Sequence, residues 1–150
     1  MEKLMLGLMA FAAAHTGLPM ADELPDVVQK PPERLWGIFM PDAEYDPEGR
    51  SVSGLYDHRS GTIYLPDQWA ADDVRDVSIL LHELVHHLQH EAGVTYQCRG
   101  AMEAPAYAAQ FAFIEAAGKD PFELLEMNGL FLLMVTTCQP GDPSWPPADE

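Results

Sequence analysis

Basic residues are scarce in this 150-residue chain: 8 Lys and Arg stand against 24 Asp and Glu, which gives a formal net charge of -16. No cluster of Lys and Arg is present that could neutralise phosphates, so we expect no nucleic acid partner. The acidic surface could steer cationic substrates by long-range attraction. The simpler explanation is a solvated, self-repelling surface that keeps the protein in solution.

Long apolar runs are also missing, and this excludes a predicted membrane span. The longest candidate, residues 4–14, is too short to cross a bilayer. It has two interpretations: the core of a signal peptide, or a buried first helix at about residues 3–16 that ends at Gly17. The basic flank of a signal peptide would rest on Lys3 alone, next to Glu2, so no convincing signal peptide is evident.

Only two cysteines occur, Cys98 and Cys138, and their separation excludes a CxxC metal or redox motif. A disulfide between them would tie residue 98 to the C-terminal apolar segment in an exported protein. The alternative is two buried free thiols. The compartment therefore stays unknown, with the cysteines favouring a periplasmic or secreted protein.

Length and composition predict one folded domain, at residues 1–138, since 47% of the residues are hydrophobic and 21% are charged. Residues 139–150 are rich in proline and acids without periodicity, which predicts a mobile tail. Two β-branched and aromatic segments, 52–56 and 62–65, flank a polar turn and predict a hairpin. The expected fold class is α+β, mainly helical with a small sheet or hairpin.

Three helices are predicted after the hairpin. The first is capped by Asp67 or Asp72 and runs to about residue 92, with its apolar residues gathered on one face. The second spans about 101–117, with a proline in its first turn. The third runs from the cap of residues 120–123 to about residue 137.

The first of these helices contains the sequence HExxH at residues 82–86. His82 and His86 lie one helical turn apart and can share one zinc ion, while Glu83 projects where it can polarise a zinc-bound water. The motif lies on an amphipathic helix that follows a hairpin, an arrangement in which an edge strand can pair with an extended peptide. The alternative is a helix whose histidines face solvent or are satisfied in the core.

A catalytic zinc needs a third protein ligand. His90 is about 12 Å along the axis from His82, and His87 points about 100° away from the pair. Glu103 is the best candidate, because the segment 93–100 is long enough to turn the chain back towards the histidines. The alternative for Glu103 is a solvated glutamate stabilised by the helix dipole.

The segments 82–89 (HELVHHLQ) and 103–107 (EAPAY) resemble the gluzincin branch of the zincin metallopeptidases, in the compact form called minigluzincins. They are also similar to an uncharacterised family of small bacterial proteins of that type, many of them exported, with a Cys shortly before Glu-x-x-Ala-Tyr. The similarity extends over residues 16–118. Residues 1–15 would then align with the first structural helix of that family, which argues against cleavage.

The resemblance implies a zincin-like fold with one Zn²⁺ per chain, held by His82, His86 and Glu103. It also implies hydrolysis of a peptide or protein substrate with Glu83 as general base. Tyr107, one turn after Glu103, is a candidate donor to the oxyanion; the alternative is a tyrosine that only packs between helices.

Two other functions fit parts of the sequence. The chain could be a regulatory peptidase similar to the ImmA/IrrE proteins, although it has no appended helix-turn-helix. It could also be a non-catalytic binding module on a zincin scaffold, but a purely structural zinc site does not require Glu83 and prefers four protein ligands. The sequence does not indicate an oligomeric state.

Overall fold

A computed structural model describes residues 1–49 and 51–147. It has an α+β fold, as predicted, with mostly helical structure around a three-stranded sheet. In chain order the elements are α1 (Glu2–Thr16), β1 (Asp26–Lys30), α2 (Pro32–Phe39), β2 (Leu55–Asp57), β3 (Thr62–Pro66), α3 (Val74–Glu91), α4 (Arg99–Ala116), α5 (Pro121–Leu124) and α6 (Gly129–Thr136).

The N-terminal apolar run forms helix α1, which lies close to the predicted bounds. It ends at Gly17, whose φ of 78° places it in the left-handed region that glycine adopts without a steric penalty. The buried face of α1 packs against the core and consists of Met5, Leu8, Met9 and Ala12. Among the residues described, no helix combines the length and apolar character needed to cross a membrane.

The sheet has the order β1-β3-β2, and the predicted hairpin is its β2–β3 part. β2 pairs with β3 in antiparallel register, with Tyr56 opposite Ile63. β1 pairs with β3 in parallel register, with Val28 opposite Tyr64. Strand β1 was not among the elements predicted from the sequence. β2 is an edge strand within the described sheet, so one side of its backbone remains available for pairing.

Helix α3 is the centre of the core and contacts α1, α4 and the sheet. Its cap is Asp73, not Asp67 or Asp72: the Asp73 carboxylate accepts a hydrogen bond from the Asp76 backbone at 3.0 Å. Most of the apolar face that the periodicity predicts is buried: Leu81, Leu84, Val85 and Leu88 completely and Val77 nearly so, whereas Val74 in the first turn is only half-buried. Placing His82 and His86 on this helix fixes both on a rigid element.

Helix α4 begins at Arg99, two residues earlier than predicted, because Cys98 rather than a later residue is its cap. Pro105 is consequently the seventh helical residue and not part of the first turn. It cannot donate the usual backbone hydrogen bond to the Ala101 carbonyl. The prediction that Pro105 falls where no hydrogen bond is needed was wrong.

The single helix expected at 120–137 is two helices, α5 and α6. Glu126 between them has a φ of 53°, which ends helical geometry, and Asn128 caps α6 by accepting from the Phe131 backbone at 2.9 Å. α6 packs on α4 but leaves large apolar side chains exposed. These are Leu130, Phe131, Leu133 and Met134.

Cys98 and Cys138 form a disulfide, with their Cα atoms 5.7 Å apart, and so join the start of α4 to the end of α6. The bond is compatible with an extracellular protein. Further along, Trp145 pairs with Tyr96 through two backbone hydrogen bonds of 2.7 and 2.9 Å. This bridge ties residue 145 of the predicted mobile tail to the segment before α4. Mobility of the rest of the segment 139–150 stays a prediction, and residues 148–150 lie outside the described part of the chain.

Candidate metal centre

The three residues predicted to bind metal come together between α3 and α4. Glu103 Oε2 lies 3.0 Å from His82 Nε2, and Glu103 Oε1 lies 3.1 Å from His86 Nε2. The ligand atoms all lie within 4.8 Å of one another, so the group could hold a metal ion. In residues 1–49 and 51–147 no other His, Cys, Asp or Glu cluster meets this criterion.

Each histidine is oriented by a glutamine at its other ring nitrogen. His82 Nδ1 lies 2.9 Å from Gln110 Oε1, and His86 Nδ1 lies 2.8 Å from Gln89 Oε1. The glutamine amide groups themselves donate elsewhere, Gln89 to the Met102 carbonyl and Gln110 to Ser78 Oγ. An amide oxygen can only accept, so each Nδ1 carries a proton and each Nε2 is directed at the metal position.

Sequence reasoning missed both glutamines, although a signal for each existed. Gln89 lies three residues after His86 and shares its helix face, and Gln110 lies two turns after Glu103. Both are almost fully buried, with 3% of the surface exposed. A buried glutamine needs partners for its amide, and on these faces the histidine rings are the nearest candidates.

We expect Gln110→Ala to weaken metal binding at this cluster about 10- to 100-fold, because His82 loses the acceptor that fixes its ring and tautomer. Competition with a chelator of known affinity measures this. Gln97→Ala is the matched control, since Gln97 is exposed and outside the site. An affinity for Gln110→Ala within twofold of that control would show that the hydrogen bond does not support the site.

In the metal-free protein the ligands form a charged pair. Burial lowers the pKa of His86, but the adjacent Glu103 outweighs this and raises it to about 9. Burial raises the pKa of Glu103, while the charge of His86 and hydrogen bonds from both histidines lower it well below its ordinary value. In the metal-free protein the protonated imidazole of His86 therefore supplies a positive charge where the three ligands converge.

Glu83 lies beside the three ligands, is 7% exposed and has no ligand role in the cluster. Burial raises the pKa of its carboxyl group, and the nearby histidines only partly reverse this. Gly54, just before edge strand β2, closely approaches it: a Cβ there would lie 3.3 Å from Glu83 Oε1 and 2.7 Å from Ile79 Cγ2. A side chain at position 54 would therefore collide with the helix that carries the motif.

Tyr107 packs its ring on His82, with the ring centroids 4.6 Å apart and the planes at 76°. Burial, then the charges of Glu103 and Glu83, raise the pKa of Tyr107 to about 12, so its hydroxyl stays protonated and able to donate. This placement accommodates both roles considered for it, the packed tyrosine and the donor at the site.

The remaining histidines of α3 do not join the cluster, in line with the geometric prediction. His87 Nε2 donates to the Glu23 carbonyl at 3.0 Å, and the Tyr56 hydroxyl donates to His87 Nδ1 at 3.1 Å. His90 is exposed and lies nearest the Tyr56 ring, at 6.1 Å between centroids.

A cleft of about 880 Å³ runs over the cluster and Glu83. Edge strand β2 and the apolar helix α6 both contribute residues to its walls. The segment after Cys138 closes part of its rim. The residues that line these borders include Gly54, Leu55, Tyr56, Arg99, Phe131, Met134, Val135 and Trp145. The site is thus open to a molecule of peptide size.

Comparison with known proteins identifies the family of this chain. No curated protein and no solved structure is similar to the chain at a significant level. One protein family does match, over residues 1–144, and its description is a domain of unknown function (DUF6647). Because the match covers nearly all of the 150 residues, the chain belongs to the DUF6647 family.

Proposed function

We propose that the protein is a zinc-dependent metallopeptidase, in which His82, His86 and Glu103 hold the ion and Glu83 is the general base. The observation that carries the proposal is the combination of three converging ligands with a fourth, separate carboxylate in the same cleft. A purely structural zinc site closes its coordination with four protein ligands and does not need such a carboxylate.

The donor set supports zinc. Two imidazole nitrogens and one carboxylate are the ligands of many catalytic zinc sites. Bond lengths of about 2.0 to 2.1 Å in a tetrahedron place neighbouring ligand atoms about 3.3 Å apart. The distances from Glu103 to His82 and His86, 3.0 and 3.1 Å, are close to that spacing, so a small adjustment would admit the ion.

When bound, zinc would polarise the scissile carbonyl and make a water nucleophilic near neutral pH. Glu83 takes the proton from the attacking water and delivers it to the leaving amine. Burial disfavours the charged carboxylate and raises the pKa of Glu83 in the metal-free protein, which favours acceptance of the proton. Gln110 and Gln89 keep the imidazoles in position throughout.

Tyr107 and edge strand β2 have supporting roles in this proposal. The protonated hydroxyl of Tyr107 can donate a hydrogen bond to the oxygen that becomes negatively charged as the carbonyl is attacked. The free edge of β2 can pair with an extended peptide backbone. Gly54, without a side chain beside Glu83, lets that backbone come close to the base.

We also propose that the protein works outside the cytoplasm, in the periplasm or as a secreted protein. The Cys98–Cys138 disulfide supports this, since such bonds form and persist in oxidising compartments.

The direct test is the metal content and peptidase activity of the purified protein. We expect one zinc per chain and cleavage of a randomised peptide mixture that stops on chelation and resumes when zinc is added. Absence of zinc would refute the ligand assignment. Stoichiometric zinc without cleavage of any peptide or of unfolded protein substrates would instead favour the non-catalytic binding module.

A further inference from the structure

We propose that Arg99, held in place by Trp145, binds a carboxylate of the substrate next to the candidate metal centre. The inference rests on the proposed peptidase function and specifies the class of substrate. It adds to that function a cationic subsite outside the groups that perform the chemistry.

Arg99 is placed on the face of α4 that forms the site. It is the first residue of that helix and precedes Glu103 by four residues, so the two share one face about 6 Å apart along the axis. It lines the same cleft as His82, Glu83 and His86.

The charge of Arg99 is not neutralised within the part of the chain that the structure describes. Both carboxylate oxygens of Glu103 are directed at His82 and His86, and no described carboxylate lies within ion-pair distance of Arg99. Of the described residues that line the cleft, Arg99 is the one Lys or Arg. A cation left unpaired in a protein of net charge -16 is available for an anionic ligand.

Trp145 gives Arg99 a defined orientation. The guanidinium carbon lies 5.2 Å from the centroid of the Trp145 ring. Stacking on an aromatic ring occupies the face of a guanidinium and leaves its N–H edge free for the two-pronged hydrogen bonds that carboxylates accept. An arginine ordered in advance loses less conformational entropy when the ligand binds.

Arg99 and Trp145 are held near each other by two links between the start of α4 and the C-terminal segment. Arg99 directly follows Cys98, whose disulfide to Cys138 holds the start of the segment that leads to Trp145. Trp145 itself is hydrogen-bonded to the Tyr96 backbone. The disulfide and this bridge therefore set the position of the ring over the guanidinium.

The charges around the cleft are consistent with a bound carboxylate once metal is present. Zinc with charge +2 would offset ionised Glu83 and Glu103. The other Asp, Glu, Lys or Arg residues that line the described cleft are Arg99 and Asp142, and the Asp142 carboxylate accepts a hydrogen bond from the Gln139 backbone at 2.7 Å. An extended peptide advances about 3.3 to 3.6 Å per residue. A group about one helical turn from Glu103 would thus be reached within about two residues of the scissile bond.

Two sources can provide that carboxylate: the free C-terminus of a peptide, or the side chain of Asp or Glu near the cleaved bond. The experiment uses zinc-loaded protein and acetylated decapeptides of randomised sequence, prepared once as free acids and once as C-terminal amides. Products identified by mass spectrometry distinguish the sources. Cleavage within two residues of a free acid, lost on amidation, indicates the C-terminus; cleavage beside Asp or Glu in both sets indicates the side chain.

In either case Arg99→Gln should lower kcat/KM on the preferred peptides about 10- to 100-fold, mostly through KM, with zinc content unchanged. Arg99→Lys should recover only part of the loss, because an ammonium group cannot form the paired hydrogen bonds. Arg34→Gln is the matched control: it removes the same charge from an exposed residue of α2 that does not line the cleft. Arg99→Gln indistinguishable from this control overturns the proposal, as does equal cleavage of peptides with and without carboxylates.

A binding measurement separates failure of this proposal from failure of the peptidase function. If the natural protein cleaves nothing, the same peptides are passed over immobilised zinc-loaded protein. Retention that depends on a carboxylate and disappears in Arg99→Gln supports the subsite without any turnover. Retention that is the same for acids, amides and peptides lacking Asp and Glu overturns it.

Discussion

Glu83→Gln is expected to keep one zinc per chain while lowering peptide hydrolysis by about 10²- to 10⁴-fold, the range associated with loss of a general base. Glutamine has nearly the same shape but cannot accept a proton from water. Because Glu83 is outside the ligand cluster, zinc binding should persist. Burial opposes the ionised form of Glu83, so the neutral amide should leave the melting temperature unchanged or higher.

Zinc stoichiometry, thermal unfolding and kcat measured on the same preparation test this expectation. Glu115→Gln is the control, because Glu115 is an exposed carboxylate on α4. Retained activity in Glu83→Gln would exclude its role as the base. Loss of zinc would instead make Glu83 a ligand, and the three-ligand assignment would have to change.

Glu103→Ala is expected to weaken zinc binding on the order of 10³-fold and so abolish hydrolysis at micromolar zinc. The Glu103 carboxylate is the only group from α4 among the three converging ligands, and it contacts both histidines. Two imidazoles on one helix would remain, and these leave half of a tetrahedral site without protein ligands.

Zinc titration with a competing chelator measures the loss, and Glu115→Ala provides a matched removal of a glutamate from the same helix. Glu103→Gln, which keeps the size of the side chain, guards against a result caused by misfolding. Zinc binding by Glu103→Ala at natural affinity would refute the ligand role. Together, these variants separate general-base catalysis from metal binding. Glu83→Gln and Glu103→Ala should both lose activity, whereas only Glu103→Ala should lose the metal.

The local sequence was sufficient to predict that the HExxH motif lies on a helix with a buried apolar face. It also predicted that His82, His86 and Glu103 converge. His82 and His86 lie four residues apart, and helical geometry alone puts such residues side by side. Glu103 was identified as the third ligand by excluding His87 and His90. In the structure both of these histidines make other contacts. The hairpin was recognisable because β-branched residues flank a polar turn.

Other features depend on partners distant in sequence and could not be predicted locally. Strand β1 has little pattern of its own and forms because β3 offers it an edge. The break between α5 and α6 is different, because the pair Asn128-Gly129 is a local turn signal that sequence reasoning missed, and Asn128 caps α6. The placement of Trp145 over Arg99 depends on a bridge to Tyr96, about 50 residues earlier in the chain.

The sequence by itself determined the chemistry that the chain can present: two histidines and a glutamate on one turn of helix, a second carboxylate downstream, and an excess of negative charge. Only the tertiary structure decided which atoms meet. The packing of α4 on α3 aims Glu103 at both imidazoles, and the buried Gln89 and Gln110 select their tautomers. The bridge between Tyr96 and Trp145 places the Trp145 ring beside Arg99. Helical spacing is a local property of the backbone, whereas these contacts arise from the burial of surfaces that are far apart along the chain.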